Sequence, residues 1–361
     1  MPSLFSEYSL KSRIVKNRIV YPPMVCFYYA GEDGMVTERN LAHYKEVSGG
    51  GAGTIITEAT AVWKNGRLAP FQLGIWSDHH IPGMKQVATM ARNAGAVSLL
   101  QIHHAGLMTR ENVSPTAKGP SPDERNNRSE ALSIDEIKEI CQAFVDGAAR
   151  AQKAGYDGVE LHGAHGYLLN EFASSYYNKR KDDYGGSLEK NLKLATDIIH
   201  GIRKQCGDDF IIGYRLGANS PALEEGIALA QLLESAGVDL LHVSHGGNLL
   251  NLPRTPKGFE YNWIVYSGTV IKTHVGIPVI AVNEIKTPER AAWLIKNNHV
   301  DFVALGRPQL ADPNWANHVL NNEKIAVCLY CKPKCKWYED SSLCPSRKMF
   351  PDMTDQPWGS N

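Results

Sequence analysis

The octapeptide AGYDGVEL at 154–161 guides the interpretation of this chain, because closely similar stretches recur as AGVDLLHV at 236–243 and NHVDFVALG at 298–306. In each of the three, a helical stretch ends at glycine or asparagine, and an aspartate then precedes a short apolar run with the composition of a buried strand. Recurrence of the same helix-to-strand junction predicts repeated β–α units.

Eight segments with the composition of a strand occur along the chain, and each is followed by a stretch with the composition or periodicity of a helix. In chain order they are Arg18–Tyr21, Gly53–Thr57, Ala96–Ile102, Gly158–Leu161, Phe210–Leu216, Leu240–Ser244, Pro278–Val282 and Phe302–Leu305. Eight such units predict a closed parallel barrel, the (β/α)8 or TIM barrel of the α/β class. We expect this barrel over residues 1–321 and a cysteine-containing C-terminal extension over residues 322–361.

The composition argues against several classes of function. Of the 361 residues, 43% are hydrophobic and 21% are charged, and lysine plus arginine equals aspartate plus glutamate at 38 each, so no overall field attracts nucleic acid or an anionic membrane. No run approaches the ~18 apolar residues of a membrane span, and the N-terminus lacks the apolar core of a signal peptide. We expect a cytoplasmic protein with a small-molecule substrate and neither a nucleic-acid nor a membrane partner; a homo-oligomer is left open.

A barrel of this kind carries its functional groups at the carboxyl ends of its strands. Gln101 and Arg215 lie within otherwise apolar strands, where an unpaired amide or charge costs on the order of several kcal/mol. Their partner is therefore a polar ligand in the barrel mouth or, for Arg215, a neighbouring carboxylate. The other candidates at strand ends are Pro22-Pro23-Met24-Val25-Cys26, Glu58-Ala59, His103-His104, Ser244-His245-Gly246-Gly247, Asn283 and Gly306-Arg307.

The loop after the fourth strand has the densest polar cluster, in HGAHGYLLNEF at 162–172. The spacing of His162, His165 and Tyr167 lets an irregular turn aim two imidazoles and one phenol into a common space. They offer two N–H donors for a substrate oxygen and a weak acid of pKa ~10. Metal ligation is less well supported, because the carboxylate of the helical H-E-x-x-H frame is absent.

The loops contribute three further predictions. Barrels often bind phosphate after the seventh and eighth strands, where Gly306 permits close backbone approach and Arg307 supplies several donors, so we expect a phosphorylated cofactor or substrate there. The loop from His104 to Ser133 is too long for a plain connector and is expected to cover the barrel mouth or to contact a partner. The loop at 246–260 is suited to substrate specificity.

Four of the seven cysteines crowd the extension as C-x2-C-x3-C-x8-C: Cys328, Cys331, Cys335 and Cys344. Thiolates so close together match an iron–sulfur cluster or zinc chemically. The close spacing of the first three cysteines favours an iron–sulfur cluster over a zinc ribbon. A tail that binds no metal is the remaining alternative.

These motifs together resemble the old yellow enzyme family of FMN-dependent oxidoreductases, over about residues 5–320. Within this family, the four-cysteine tail of the chain resembles that of the branch of 2,4-dienoyl-CoA reductase and trimethylamine dehydrogenase. Members of that branch carry FMN and a [4Fe-4S] cluster. The motifs are PPMVC at 22–26, GIWSDHHIPG at 74–83, QIHHAG at 101–106, HGAHGYLLNEF with NKRKDDYGGS at 162–187 and LGRP at 305–308.

The resemblance implies a role for each candidate. FMN would be contacted along its isoalloxazine by Pro23, Met24, Val25 and Ala59, at its pyrimidine and N1 side by Gln101 and Arg215, and at its phosphate by Asn283, Gly306 and Arg307. NADH or NADPH would supply hydride to the flavin. His162 and His165 would then hold the oxygen of an α,β-unsaturated carbonyl compound, the flavin would return hydride to Cβ, and Tyr167 would protonate Cα.

Two positions depart from the family pattern. Val25 stands where many relatives have Thr or Cys, and Cys26 follows it. Asn248 occupies the place of a second acid, a histidine, in the dienoyl-CoA branch, with His245 three residues earlier. Two other functions stay open: an amine-dehydrogenase-like or electron-transfer flavoprotein that passes electrons through the cluster, and a flavin-free barrel lyase or isomerase.

Overall fold

The structure, a computed structural model, describes residues 2–338 and 340–348. It begins with an antiparallel hairpin of β1 (Tyr8–Leu10) and β2 (Arg13–Val15), which the sequence patterns did not predict. Leu10 and Val15 are buried in one apolar cluster with the lower interior residues of the barrel, among them Phe302. The hairpin therefore closes the amino-terminal end of the barrel.

Eight parallel strands form one closed barrel, in the order β10-β11-β12-β3-β4-β5-β8-β9. All eight predicted strands are present and the predicted fold is confirmed. The strands after the hairpin are β3 (Ile19–Tyr21), β4 (Thr54–Ala61), β5 (Val97–His103), β6 (Ala117–Gly119), β7 (Ser129–Ala131), β8 (Gly158–Gly163), β9 (Ile211–Gly217), β10 (Leu240–Ser244), β11 (Val279–Val282) and β12 (Phe302–Ala304), of which β6 and β7 pair only with each other.

Each barrel strand is followed by a helix, as predicted, and further helices lie nearer the C-terminus. The helices are α1 (Glu38–Gly49), α2 (Ile81–Asn93), α3 (Ile134–Lys153), α4 (Leu168–Ala173), α5 (Leu188–Cys206), α6 (Leu223–Ser235), α7 (Trp263–Lys272), α8 (Pro288–Lys296), α9 (Gly306–Ala311), α10 (Trp315–Leu320) and α11 (Pro345–Lys348). Within the described part of the chain, no helix is long and apolar enough to cross a membrane.

The aspartate shared by the three recurring junctions has a structural explanation. Asp157, Asp239 and Asp301 each accept a hydrogen bond from a backbone N–H near the start of the neighbouring strand, at 2.9, 2.8 and 2.8 Å respectively. A buried N–H left without a partner would cost on the order of 1–3 kcal/mol. The repeated aspartate therefore ties adjacent strands together at the amino-terminal end, far from the candidate site.

The described part of the extension packs against the barrel. Arg347 donates to Glu46 Oε1 at 2.9 Å and to Glu46 Oε2 at 3.1 Å, and its Nε donates to Leu310 O at 2.9 Å. The Trp337 indole is buried beside His43, with ring centroids 5.2 Å apart. These contacts hold the extension against α1 and α9, with Cys344 between the two contacts and the other three cysteines just before Trp337.

Candidate active site

A cavity of about 290 Å³ lies at the carboxyl ends of the barrel strands, close to the lower limit of small-molecule sites. All the residues predicted to bind flavin or substrate border it: Pro23, Met24, Val25, Ala59, Gln101, His162, His165, Tyr167, Arg215, Asn283, Gly306 and Arg307. The barrel thus gathers residues from distant parts of the chain into one space. Their individual roles toward a ligand stay predictions.

A layer of polar side chains from adjacent strands forms the floor of the site. Gln101 Nε2 on β5 donates to Glu160 Oε1 on β8 at 2.7 Å, and His242 Nδ1 on β10 lies 2.8 Å from Glu160 Oε2. Arg215 on β9 is paired in register with both His162 and His242. Burial lowers the pKa of His242, and the neighbouring Glu160 carboxylate acts in the opposite direction.

Arg215 is the buried cation of this layer, with 9% of its surface exposed. Its Nε has no hydrogen-bond partner among the described residues, and Glu160 already bonds to Gln101 and His242. Burial lowers the pKa of Arg215, and Glu160 opposes that shift. A side chain with a free donor at a cavity fits a ligand that carries partial negative charge, as the N1 side of a flavin does.

The loop after β8 aims its imidazoles through an uncommon backbone turn. His165 has φ +64° and Gly166 has φ +75°, and a left-handed conformation is costly for histidine, by on the order of 1 kcal/mol. The turn places His165 Nδ1 3.3 Å from His162 Nε2, and His165 Nε2 2.7 Å from Ser244 Oγ at the end of β10. His165 N also donates to His245 O at 3.0 Å.

Burial keeps both imidazoles neutral, because it lowers the pKa of His162 and of His165 well below the usual value, and the Arg215 charge adds to both shifts. Both His165 nitrogens are engaged by protein atoms, whereas His162 Nδ1 has no partner among the described residues. His162 is therefore the member of the pair with a free ring nitrogen, and His165 orients it.

Tyr167 stands at the N-terminus of α4, with its ring edge-on to His162 at 4.8 Å between centroids. Burial raises the pKa of Tyr167, and Arg215 opposes this shift. The phenol therefore holds its proton at neutral pH and can deliver it to a strongly basic carbon or oxygen.

Asn170 connects the histidine loop to the loops after β9 and β10. Its Oδ1 accepts hydrogen bonds from Gly166 N and Gly247 N, both at 2.9 Å, and its Nδ2 donates to Ser220 Oγ at 2.7 Å. The side chain is fully buried. One amide thereby fixes the distance between the turn that carries His165 and the loop that follows β10.

The opposite side of the cavity lies after β11 and β12. Asn283 and Glu284 have φ +94° and +52°, so this turn is left-handed at two residues that are not glycine. Arg307 Nη2 lies 3.7 Å from Glu284 Oε1, and its guanidinium stacks 4.2 Å from the centroid of Tyr330 in the extension. A Cβ on Gly306 would lie 2.9 Å from Met24 Sδ, so Gly306 allows this methionine to approach the backbone.

These residues fit FMN at both ends of the cavity. Arg215 offers an unpartnered donor on one side and Arg307 offers a second cation on the other, which suits a flavin ring and a phosphate group. Tyr330 and Tyr338 of the extension also border the cavity.

Several site residues were missed by sequence reasoning. Glu160 was included in an apolar run, and His242 was not singled out, although both are polar residues inside a buried strand, the same signal that identified Gln101 and Arg215. Tyr330 and Tyr338 carry no local signal, because they reach the cavity from a segment outside the barrel.

Three expectations about neighbouring residues need correction or refinement. No residue of the 104–133 loop borders the cavity, and Arg180 holds this loop through Pro120 O and Leu132 O. Its role as a cover over the mouth or as a partner contact stays a prediction. Val25 borders the cavity whereas Cys26 is buried behind it, its backbone N donating to Glu58 Oε2 at 2.8 Å. The Cys26 thiol is therefore poorly placed to replace a residue at position 25.

The loop after β10 presents His245 to the cavity and turns Asn248 away from it. Asn248 is buried, its Oδ1 accepts a hydrogen bond from Leu250 N at 2.8 Å, and its backbone oxygen accepts one from Asn219 Nδ2. A ligand in the cavity would consequently meet the His245 side chain rather than that of Asn248. The specificity role of residues 246–260 stays a prediction.

The four cysteines of the extension border a second cavity of about 160 Å³: Cys328, Cys331, Cys335 and Cys344. Arg307 and Tyr330 border both cavities. Among the described residues, however, no three His, Cys, Asp or Glu side chains are grouped closely enough to hold a metal ion. This finding shows neither the zinc alternative nor the [4Fe-4S] cluster, and both stay predictions.

The fold is a closed parallel barrel with a polar cavity at the carboxyl ends of its strands. Two cationic side chains and a buried phenol border this cavity. These features define a class of protein, a barrel enzyme that binds a small anionic cofactor. The chain belongs to the NADH:flavin oxidoreductase / NADH oxidase family, whose model matches residues 3–324. The predicted family is confirmed, and the chain is an oxidoreductase.

Individual relatives agree with this assignment. The chain is 40% identical over 350 residues to the NADH oxidase of Thermoanaerobacter brockii, covering 92% of this chain and 53% of that protein, so it spans about half the length of this relative. It is 35% identical over 324 residues to the NADPH dehydrogenase of Listeria monocytogenes serotype 4b (strain CLIP80459), covering 88% and 94%. The structure of 2-naphthoyl-CoA reductase with 2-naphthoyl-CoA superposes with a TM-score of 0.83 at 25% identity, covering 94% of this chain and 56% of that one.

Proposed function

We propose that this protein is an FMN-dependent oxidoreductase that uses NADH or NADPH to reduce the activated C=C bond of a small α,β-unsaturated carbonyl compound. The observation that carries the proposal is that His162 and Tyr167 border one cavity together with Arg215. A neutral imidazole, a protonated phenol and a buried cation are the groups that such a reduction requires. The 2-naphthoyl-CoA reductase similarity supports the same class of substrate, a conjugated acyl compound.

The protein residues have separable tasks. His162 donates a hydrogen bond to the carbonyl oxygen and withdraws electron density from the double bond, while His165 and Ser244 hold its orientation. Tyr167 gives its proton to Cα. Bound FMN supplies the acceptance and donation of hydride. Arg215 stabilises negative charge at the flavin pyrimidine, which favours the reduced form.

The test is a two-stage experiment on flavin-loaded protein without oxygen. NADH or NADPH should bleach the flavin absorbance, and an enone should restore it without oxygen. A panel of enones, enoyl thioesters and amines as second substrates distinguishes the proposal from an amine-dehydrogenase-like role. If only amines change the flavin spectrum, the proposed reaction is wrong.

The two remaining alternatives are less well supported. A flavin-free lyase or isomerase disagrees with membership of a flavin oxidoreductase family. The electron-transfer role rests on the predicted [4Fe-4S] cluster, which is itself a proposal. Purified protein that releases no FMN on denaturation would rule out both flavin-dependent functions and leave the flavin-free alternative.

The predicted [4Fe-4S] cluster is proposed as a separate point, with no step of the reaction assigned to it. Its support is that all four cysteines border one cavity. Iron and acid-labile sulfide should be present after anaerobic purification, and Cys331→Ser should lower both. Cys206→Ser, at the end of α5, is the matched control and should keep the iron content. Equal iron in the two variants would refute ligation by Cys331.

A further inference from the structure

Besides His162 and His165, both His103 and His245 border the active-site cavity, and neither has a task in the proposed reaction. His103 ends β5, and 1% of its surface is exposed. Neither Nδ1 nor Nε2 of its ring has a hydrogen-bond partner among the described residues. The adjacent His104, by contrast, accepts a hydrogen bond from Gly106 N at 3.1 Å. Each unpartnered buried polar atom costs on the order of 1–3 kcal/mol, a cost that a ligand with a matching polar group would remove.

The position of His103 shows which part of a ligand it could reach. Its ring centroid lies 5.2 Å from that of His162 and 4.5 Å from that of Tyr167, with both neighbours edge-on. His103 therefore lies on the substrate side of the cavity, beside the group that anchors the carbonyl oxygen and beside the acid.

The charge state of His103 limits the chemistry it can offer. Burial, with a smaller effect of His104, lowers the pKa of His103 to about 3. The ring is thus neutral near pH 7, with one nitrogen that donates and one that accepts. Such a ring can donate to a carbonyl oxygen or exchange hydrogen bonds with a hydroxyl group, and it brings no charge that would favour a carboxylate or phosphate.

We infer that His103 is a specificity-determining residue that hydrogen-bonds a second oxygen of the substrate, close to the carbonyl oxygen held by His162. The inference rests on the proposed function for the identity of the first oxygen. The short distance between the two imidazoles requires the two oxygens to be near neighbours. The favoured substrate class is therefore unsaturated carbonyl compounds that carry a second carbonyl or a hydroxyl group beside the first.

Ligand binding tests this without turnover. Phenol and catechol, which differ by one neighbouring hydroxyl, are titrated into the flavin-loaded protein, and the dissociation constants are read from the flavin absorbance. The wild-type protein should bind catechol more tightly, by ~3- to 10-fold, the value of one uncharged hydrogen bond. His103→Phe, which keeps a ring but removes both nitrogens, should abolish this preference. His103→Gln, which restores a donor and an acceptor, should retain it.

Each result decides the question. Equal affinity for the two ligands in the wild-type protein, or an unchanged preference in His103→Phe, overturns the assignment. If His103→Phe is recovered unfolded, His103→Leu serves the same comparison.

Turnover separates a failure of this inference from a failure of the proposed function. The pair is cyclopent-2-enone and 5-hydroxycyclopent-2-enone, which carries a hydroxyl on the carbon beside the carbonyl, and the measured quantity is the ratio of their kcat/KM values in each variant. If neither compound is reduced but the catechol preference disappears in His103→Phe, the proposed reaction is wrong and the His103 contact stands. If both are reduced and His103→Phe changes them in equal proportion, the reaction stands and the assignment of His103 is wrong.

Discussion

Ser244 Oγ lies 2.7 Å from His165 Nε2, so a hydroxyl at the end of β10 holds an imidazole from the loop after β8. The two strands are not neighbours, because β9 with Arg215 lies between them. The bond therefore spans the end of β9, the strand that carries Arg215. It fixes the ring that in turn contacts His162.

Removing this hydroxyl should loosen the oxygen anchor. Ser244→Ala is expected to weaken phenol binding to the flavin-loaded protein by ~3- to 10-fold, since one uncharged hydrogen bond orients His165. The dissociation constant is measured by flavin absorbance. Ser267→Ala is the matched control, because Ser267 Oγ bonds to Trp263 O within α7, outside the cavity. Equal affinities in the two variants would show that Ser244 does not position the site.

The phenol of Tyr167 should matter in one half-reaction more than in the other. Tyr167→Phe is expected to slow reoxidation of the reduced enzyme by an enone by ~10²- to 10⁴-fold, because proton delivery to Cα is lost. Flavin reduction by the nicotinamide should change far less. Stopped-flow absorbance resolves the two steps, and Tyr156→Phe, whose hydroxyl lies 3.1 Å from Thr57 Oγ1 outside the cavity, is the control. Equal loss in both steps would indicate a structural tyrosine.

The buried amide of Asn170 should contribute to both stability and catalysis. Asn170→Ala leaves Gly166 N and Gly247 N without their acceptor, which is expected to lower the free energy of unfolding by ~2–4 kcal/mol. Urea denaturation measures this loss. The enone half-reaction should slow as well, because the turn at His165 is released. Asn317→Ala, at a half-buried asparagine on α10 whose hydrogen bond to Gly49 O is exposed to solvent, should cost less than ~1 kcal/mol. Similar losses in the free energy of unfolding at the two positions would argue that Asn170 does not hold these loops together.

Glu58 should make the stability depend on pH. Burial raises the pKa of Glu58 from 4.5 to about 7, although hydrogen bonds from Cys26 and Tyr44 oppose the shift. Between these two values the folded protein holds a proton that the unfolded chain has released. The free energy of unfolding therefore falls as the pH rises from about 4.5 to about 7, by ~1.4 kcal/mol per unit of pKa shift, and the full loss is present above pH 7.

Replacement of this carboxyl tests the prediction. Glu58→Gln should reduce the difference in the free energy of unfolding between pH 5 and pH 8, as measured by urea denaturation. Glu38→Gln, in the first turn of α1, controls for the removal of one acidic group. A pH dependence in Glu58→Gln identical to that of the wild type would show that Glu58 is ionised in the folded protein throughout this range.

Part of the candidate site was predictable because its signals are local. Gln101 and Arg215 interrupt apolar strands, and His162, His165 and Tyr167 follow one directly, so strand position alone indicated the barrel mouth. The same rule would have found Glu160 and His242 had it been applied to every strand.

The sequence by itself determined the barrel, because eight strand-like segments alternate with helical stretches, and three of the helix-to-strand junctions carry an aspartate that bonds to the neighbouring strand. Only the tertiary structure decided which side chains meet. Glu160 and His242 are 82 positions apart, and His165 and Ser244 are 79 apart, yet barrel closure places each pair within hydrogen-bond distance. Hydrogen bonds and desolvation depend on distance and burial in space. Local pattern therefore identified the groups, while closure of the barrel set their partners, their pKa shifts and the unpartnered nitrogens of His103.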